Sequence, residues 1–440
     1  MDAYRELASR LPRTEFLGYE HLDAEATVTG LISGGTVVTT AGQGTEVELV
    51  LDRSPFYAEA GGQIGDTGTL TMGDGTRLQI TDTRYGLEGF RVHTASVLAG
   101  ELRTGAVGEA AVDAERRAGL MRSHSATHIL HAVVRATLGE HARQQGSLVE
   151  PDRLRFDFAH FTALTPDQLH QIEQAVNGHV LDDPNARAWY ADRAEAEAAG
   201  AIALFGEKYG DTVRIVDIGD FSRELCGGTH VAHGSQVGAF RLLSESSIGS
   251  SLRRVEALTG HGTLCHQDTE RRLLNELAGL LGTRPADAPR ALNKRLEALA
   301  AAQAELGQLR VAELRSQAVR LAGTALPAGG GQLVAQGVTG VTPGELRQLV
   351  SETLAQLPFG PAVVVLALEH SGKALLVAAI TPHLLGRGIQ AAQVIARAAK
   401  AVGGGGGGTG ALASAGGRCP EHLDQALTTA SEDATALLLG

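Results

Sequence analysis

Two short motifs, His-Ser-Ala-Thr-His at His124–His128 and Cys-Gly-Gly-Thr-His at Cys226–His230, constrain this chain more than any other feature. Where a fold brings them together, three imidazoles and one thiolate converge, a donor set that tetrahedral Zn²⁺ takes readily. Leu120–Leu138 reads as a helix of Ala, Leu, Val and Arg. Positions i and i+4 of a helix share a face, so His124 and His128 can reach one ion. The second pair follows a predicted strand, Val213–Ile218, and a Gly219-Asp220 turn. Gly227 and Gly228 are expected to let the backbone bend until Cys226 and His230 face the same point. Either half alone is more simply read as ordinary residues; together they point to one Zn²⁺ per chain. His131 and His233 are expected as neighbours or core residues rather than ligands, because a ligating imidazole needs a hydrogen-bonding partner. Four protein ligands leave no vacant position, the pattern of a structural site.

The 440 residues have room for two or three domains. Only three cysteines occur, Cys226, Cys265 and Cys419, too few and too scattered for a disulfide framework. The start, Met1-Asp2-Ala3-Tyr4-Arg5, has no apolar signal core, and no run reaches the ~20 apolar residues of a membrane span. A cytoplasmic protein with no membrane contact is expected. A formal charge of −12 argues against general nucleic-acid binding, and DNA is not expected as a partner. One stretch departs from that average: Ser371–Pro420 holds no Asp or Glu but has Lys373, Arg387, Arg397, Lys400 and Arg418. It reads equally as a local RNA-binding face or as a solvated surface.

The chain as a whole reads as an α+β multi-domain protein in four sections. Residues 1–108 are β-rich, with alternation in Glu25–Leu31, Thr36–Thr39, Glu46–Asp52, Thr76–Thr83 and Arg91–Val97, which suits a small β-barrel. Within it, Phe56–Gly68 is a glycine-rich loop that is neither a Walker loop nor a dinucleotide fingerprint. Gly61, Gly62 and Gln63 are either substrate contacts or a tight turn packing on the next domain. Residues 109–260 form an α/β section holding the metal motifs. Arg116, Arg117 and Arg122 there are a solvated helix face or, beside a metal cleft, a phosphate grip. Gln144-Gln145-Gly146-Ser147-Leu148 then precedes a predicted strand, Leu154–Phe158. Residues 264–323 carry two leucine stripes, one through Leu273, Leu274, Leu277, Leu280 and Leu281, the other through Leu292, Leu296, Leu299, Leu306 and Leu309. They predict a helical hairpin or coiled coil, packed within the chain or at a dimer seam. Residues 326–440 predict strands at Ala362–Leu368 and Ala374–Ile380, a Ser371-Gly372 turn and a helix over Ala391–Val402. Six glycines follow, Gly403, Gly404, Gly405, Gly406, Gly407 and Gly408. Such a run alone is a flexible linker; beside Arg397, Lys400 and Arg418 it also suits a glycine loop that RNA backbone approaches.

Taken together, Phe56-Tyr-Ala-Glu-Ala-Gly-Gly-Gln63, His124-x3-His128, Gln144-Gln-Gly-Ser-Leu-Val149, Arg155-Phe-Asp-Phe158, Ala203-Leu-Phe-Gly-Glu-Lys-Tyr209 and Cys226-Gly-Gly-Thr-His230 resemble the alanyl-tRNA synthetase family. More narrowly they resemble its C-terminal half: the editing domain, then the helical and Gly-rich tRNA-binding region. The same module occurs in free-standing editing proteins. The resemblance implies hydrolysis of the ester of mischarged Ser-tRNA(Ala) and Gly-tRNA(Ala), with Zn²⁺ on His124, His128, Cys226 and His230. It matches Gln144 to a glutamine tied to editing, whose amide senses the serine hydroxyl or orients water. It also implies the tRNA(Ala) acceptor end as partner, while a homodimer through the helical and C-terminal region is the alternative that the leucine stripes leave open. Such an activity has a physical reason. A pocket shaped for alanine rejects serine poorly, while a second site that hydrogen-bonds the hydroxyl discriminates by roughly 10⁴ or more. No Glu lies between His124 and His128, so this is not the His-Glu-x-x-His peptidase arrangement. Two departures stand out: no aminoacylation domain fits ahead of Tyr19, and Thr409-Gly410 follows the glycines where a basic residue is expected. A fragment and a free-standing editing factor both fit. The rival reading is a zinc-stabilised tRNA-binding and dimerisation module, inert alone.

Overall fold

The alternating strands of the first hundred residues close on themselves. In the computed structural model, which describes residues 2–203 and 210–440, six antiparallel strands make a barrel. They are β1 (Asp23–Ser33), β2 (Glu46–Leu51), β3 (Gly68–Met72), β4 (Arg77–Leu87), β5 (Phe90–Ala99) and β6 (Val107–Val112). The order is β1-β2-β5-β4-β3-β6, and β6 returns to β1. Closure leaves no long unpaired edge. Val28, Leu31, Leu49, Leu70, Ile80 and Val97 point inward at every second position and fill the interior. Strands β3 and β6 escaped the sequence reading because Gly, Thr and Ala give them little apolar alternation. The predicted Thr36–Thr39 strand is a short appendage on β1.

One polar ring is sealed in this unit. His93 is fully buried, with Nδ1 3.2 Å from the Leu49 carbonyl and Nε2 2.8 Å from the Ser54 hydroxyl. Burial, then the nearby Arg91 charge, lowers its pKa to about 3. A neutral ring satisfies both bonds, donating at Nδ1 and accepting at Nε2.

The helix α1 (Ala114–Leu138) begins at Asp113, whose side chain accepts from the Arg116 amide. Arg117 fastens it to the barrel loops. Its guanidinium, 2% exposed, pairs with Asp66 and donates to the carbonyls of Gly18 (2.7 Å) and Pro55 (2.9 Å). The sequence reading of Arg117 as solvated or phosphate-holding is therefore corrected. Beyond α1 lie β7 (Gln144–Glu150), β8 (Arg153–Ala159), β9 (Ala186–Asp192), β10 (Thr212–Ile218), β11 (Ser222–Leu225), β12 (Arg241–Gly249) and β13 (Leu252–Leu258). They form a β7-β8-β13-β12 sheet and a β9-β10-β11 sheet. Ile129, Leu130 and Val133 of α1 share one core with Phe156 and Phe158 of the first sheet and Val216 and Ile218 of the second. The helix carrying His124 and His128 is thereby held against the sheet that leads into Cys226.

Contacts divide the chain into two units, Met1–Glu276 and Leu277–Gly440, where the sequence suggested four sections. Barrel and metal section fall in the same unit. From Leu204 onward, the Ala203–Tyr209 motif lies outside the described residues. Helices occur at α2 (Gly260–Leu281) and α3 (Ala288–Ala322), matching the two stripes. Leu273, Leu277, Leu280, Leu292, Leu299 and Leu306 are exposed.

The second unit has a six-stranded sheet containing β14 (Gly331–Gly337), β15 (Ala362–His370), β16 (Lys373–Ile380), β17 (Gly405–Gly407) and β18 (Leu412–Gly417). Ser371 and Gly372, both at positive φ, make the predicted turn between β15 and β16. The middle of the glycine run, Gly405–Gly407, is an edge strand on β18 rather than a linker. A Cβ at Gly404, Gly406 or Gly408 would come within 1.8, 2.5 or 2.6 Å of β18 atoms, whereas Gly405 and Gly407 face open space. Arg397, on helix α4 (Ala391–Ala401), pairs with Asp433 at 2.6 Å and Glu432 at 3.8 Å, so acidic residues from outside the stretch neutralise part of its charge. Lys373 and Arg418 flank a hollow of 340 Å³ beside Gly403 and Gly404; Lys400 is exposed on α4.

Two stability predictions follow from these buried groups. Arg117→Met should lower unfolding stability by about 3–5 kcal/mol in urea, because Asp66 is left buried and uncompensated. A loss under 1 kcal/mol would show the pair to be dispensable. His93 is neutral in the fold down to about 3 but protonates near 6.5 when unfolded. Its contribution is full above about pH 6.5 and is lost as pH falls from there toward 3. The urea midpoint should drop between pH 7 and pH 4.5, and His93→Gln should drop less over the same interval.

Candidate metal centre

The two motifs meet. His124, His128, Cys226 and His230 each offer a ligand atom, and these atoms lie within 4.8 Å of one another. Cys226 Sγ is 3.4 Å from His124 Nε2 and 3.3 Å from His230 Nε2. Those separations match the edge of about 3.5 Å that tetrahedral bonds of ~2.3 Å to sulfur and ~2.0–2.1 Å to nitrogen imply. Ring centroids of the three histidines are 4.4–5.3 Å apart.

The far side of two of the three rings is held by a hydrogen bond. His124 Nδ1 lies 2.8 Å from Gln63 Oε1, and His230 Nδ1 3.1 Å from Ser125 Oγ. The Ser125 hydroxyl also accepts from the Val231 amide, and its remaining lone pair can accept an N–H from His230 Nδ1. With protons assigned to Nδ1, both Nε2 lone pairs face the common centre. His128 Nδ1 is 3.6 Å from Glu224 Oε2, while Glu224 Oε1 is 2.9 Å from His131 Nδ1. Burial raises the Glu224 pKa, but the adjacent His128 and His131 outweigh it and hold the carboxyl below its usual range. Burial lowers all three ligand histidines, those of His124 and His230 most, with neighbouring imidazoles and Arg214 adding to the effect. Neutral imidazoles are what a metal needs. Among the described residues both His128 ring nitrogens are buried without a hydrogen-bond partner, and a coordinated cation would satisfy one of them. The residues fit Zn²⁺.

Glycine acts differently from expectation. Neither Gly227 nor Gly228 adopts a positive φ. Gly228 is needed for space: a Cβ there would lie 2.0 Å from His124 Cε1. At Gly227 a Cβ would meet only the Tyr19 hydroxyl, at 4.0 Å. Arg214 pins this segment, donating to the carbonyls of Cys226 (2.8 Å) and Gly228 (2.9 Å). A cavity of 360 Å³ opens beside His230, lined also by Tyr19, Met121, Arg187, Arg214 and Thr229.

The remaining sequence-assigned residues are placed as follows. Gln63 is fully buried; besides His124 it binds Thr229, donating from Nε2 to Oγ1 at 2.9 Å and accepting the Thr229 amide at 3.0 Å. It positions a ligand rather than presenting an amide to substrate. Gly62 packs on β7, where a Cβ would lie 2.4 Å from Ser147 Oγ, and Gly61 is open. Arg122 pairs with Asp152 at 2.7 Å. Gln144 sits on β7, its amide N–H 3.3 Å from His131 Nε2 and its side chain donating to Ser147 Oγ at 3.3 Å. His233 stands outside the cluster, beside Asp183. Sequence reasoning missed Ser125, Glu224, Arg214 and Tyr19. Ser125 and Glu224 adjoin the motifs and were open to inspection; Arg214 and Tyr19 carry no local signal.

Residues 1–116 match the family described as tRNA synthetases class II (A), residues 213–256 the threonyl and alanyl tRNA synthetase second additional domain, and residues 330–436 the DHHA1 domain. The second match contains Cys226 and His230. The alanine--tRNA ligase of Nocardioides sp. is 41% identical over all of this chain and 49% of its own length. That of Chloroflexus aurantiacus is 44% identical over 96% of this chain and 48% of its own. The chain belongs to the alanyl-tRNA synthetase family. It spans about half the length of the curated relatives it matches. A solved structure, the C-Ala domain from Aquifex aeolicus alanyl-tRNA synthetase, is 26% identical over 27% of this chain and 99% of that one, with a TM-score of 0.23. Among the described residues no helix is long and apolar enough to cross a membrane.

Metal analysis tests the centre. Protein purified without chelator should carry one zinc per chain, and Cys226→Ser should lose it. Gln63→Leu and Gly228→Ala should each weaken zinc retention by roughly 10–100-fold in chelator competition, since both disturb His124. Full retention in both would show that the Gln63 bond does not orient the ring.

Proposed function

We propose that this chain is a zinc-dependent aminoacyl-tRNA deacylase that cleaves the ester of Ser-tRNA(Ala) and Gly-tRNA(Ala). The observation that carries the reading is the 360 Å³ cavity opening at His230 beside the four-ligand cluster, of a size for an amino acid and its ester. His124, His128, Cys226 and His230 hold the Zn²⁺, which supplies order and positive charge at the cavity wall. Arg214 fixes the Cys226–Gly228 backbone, and Gln63 fixes both His124 and Thr229. Gln144 is not among the described residues that line this cavity; on β7 its side chain bonds Ser147 at 3.3 Å, a contact that a serine hydroxyl or water can replace. Among the described residues, Glu20 is the one carboxylate lining the cavity and His21 the one imidazole outside the metal cluster, and both are exposed. Proton transfer therefore falls to the substrate's own 2′/3′ hydroxyl, which suffices for a labile ester. The second unit engages the tRNA acceptor end through Lys373, Lys400, Arg418 and the glycine edge, with Arg397 tied to its acidic neighbours. The exposed leucines of α2 and α3 support self-association.

Purified protein should hydrolyse Ser-tRNA(Ala) and leave Ala-tRNA(Ala) intact. Gln144→Ala should cut serine hydrolysis and narrow that discrimination. Absence of hydrolysis, with zinc and tRNA binding retained, would select the rival reading of a tRNA-binding and dimerisation module.

A further inference from the structure

A second cavity, of 370 Å³, lies on the other side of Tyr19. Phe16, Tyr19, Tyr57 and Tyr85 give it aromatic walls, and Arg13 and Arg91 are the only charged residues lining it among the described residues. Phe16 meets Tyr19 edge-on at 4.8 Å and Tyr57 at 6.1 Å, so the rings form a box rather than a stack. Tyr19 and Tyr85 are each 41% exposed, unusual for adjacent large rings. Gly227 also lines the cavity and is bonded to the ligand Cys226; the Tyr19 hydroxyl donates to its carbonyl at 2.6 Å.

Arg91 is the telling residue. It projects from β5 opposite Tyr85 in register and is 6% exposed. Its guanidinium lies over Phe16 at 4.2 Å, and one nitrogen reaches the Tyr85 hydroxyl at 3.4 Å. Nε and Nη1 have no acceptor among the described residues. The Phe16 ring face offsets the charge but cannot accept two in-plane N–H groups. A buried guanidinium left so under-satisfied at a cavity without a carboxylate is matched by an anionic acceptor. Ring faces beside it favour a flat, π-rich group on the same ligand.

We propose that this cavity seats a nucleotide, its base against the tyrosine and phenylalanine rings and its phosphate on Arg91. The inference deepens the deacylase reading and rests on it for one point only: there, the nucleotide is the 3′-terminal one of the tRNA. Seated one residue from Cys226, it brings its ribose ester toward the cavity at His230, with Tyr19 as the partition. Arg91, Tyr85 and Tyr19 are thus positioning residues for substrate.

The full-length chain titrated calorimetrically with AMP, with inorganic phosphate and with a short RNA hairpin ending in CCA tests this. AMP should bind far more tightly than phosphate. Tyr85→Ala, at a half-exposed ring, should weaken AMP by about tenfold, the loss of one base–aromatic stack. Arg91→Gln should weaken it at least as much, with zinc content unchanged in both. Displacement of AMP by the hairpin assigns the site to an RNA end; no displacement assigns it to a free nucleotide. No AMP binding, equal affinity for phosphate, or AMP affinity untouched by Tyr85→Ala would overturn the proposal. In deacylation, Tyr85→Ala should raise KM and leave kcat nearly unchanged. Hydrolysis that proceeds with KM and AMP affinity unmoved in both variants removes the nucleotide site but keeps the deacylase. AMP binding lost in both variants, in a chain that hydrolyses nothing, keeps the site and removes the deacylase.

Discussion

The centre depends on hydrogen bonds made to the outward nitrogens of its histidines. Three imidazoles and a thiol side chain packed into an apolar core are costly unless each lone pair has a fixed direction. Gln63 and Ser125 fix two of the rings, and Glu224 faces the third while also holding His131. These partners come from the barrel loop, from α1 itself and from β11. The parts of the first unit are therefore coupled through the cluster, and the buried Arg117–Asp66 pair beside it serves the same joint. A metal there is worth folding free energy to the unit as well as chemistry to the site.

That coupling explains how the Phe56–Gly68 loop is used. Its glycines let Gly62 lie against Ser147 on β7, which carries Gln63 beneath His124 and Thr229. Tyr57 and Asp66 from the same loop meet across it, the Tyr57 amide donating to Asp66 at 2.7 Å. Of the two sequence readings of this loop, substrate contact or a tight turn packed on the next section, these contacts match the second. Two cavities instead share Tyr19 in their lining, a residue in a short segment before the barrel.

The cluster and most regular elements were legible because their signals are local. A His-x3-His on a helix and a Cys-x3-His after a strand need only periodicity and donor chemistry. Strands β15 and β16, with the Ser371-Gly372 turn, follow from apolar runs around a turn. The misses share one cause, tertiary partners distant in sequence. Arg117 looked like a surface charge until Asp66, Gly18 and Pro55 surrounded it. Arg397 looked like an RNA contact until Asp433 and Glu432 met it. The six glycines looked flexible, yet alternate members sit against β18 where no side chain fits. Composition cannot distinguish glycine used for freedom from glycine used for close approach.

X-ray absorption at the zinc edge of the purified chain tests the central claim most directly. The account predicts one sulfur at ~2.3 Å and three nitrogens at ~2.0–2.1 Å, with imidazole scattering beyond them. A first shell without sulfur, or one made of oxygen, would contradict it.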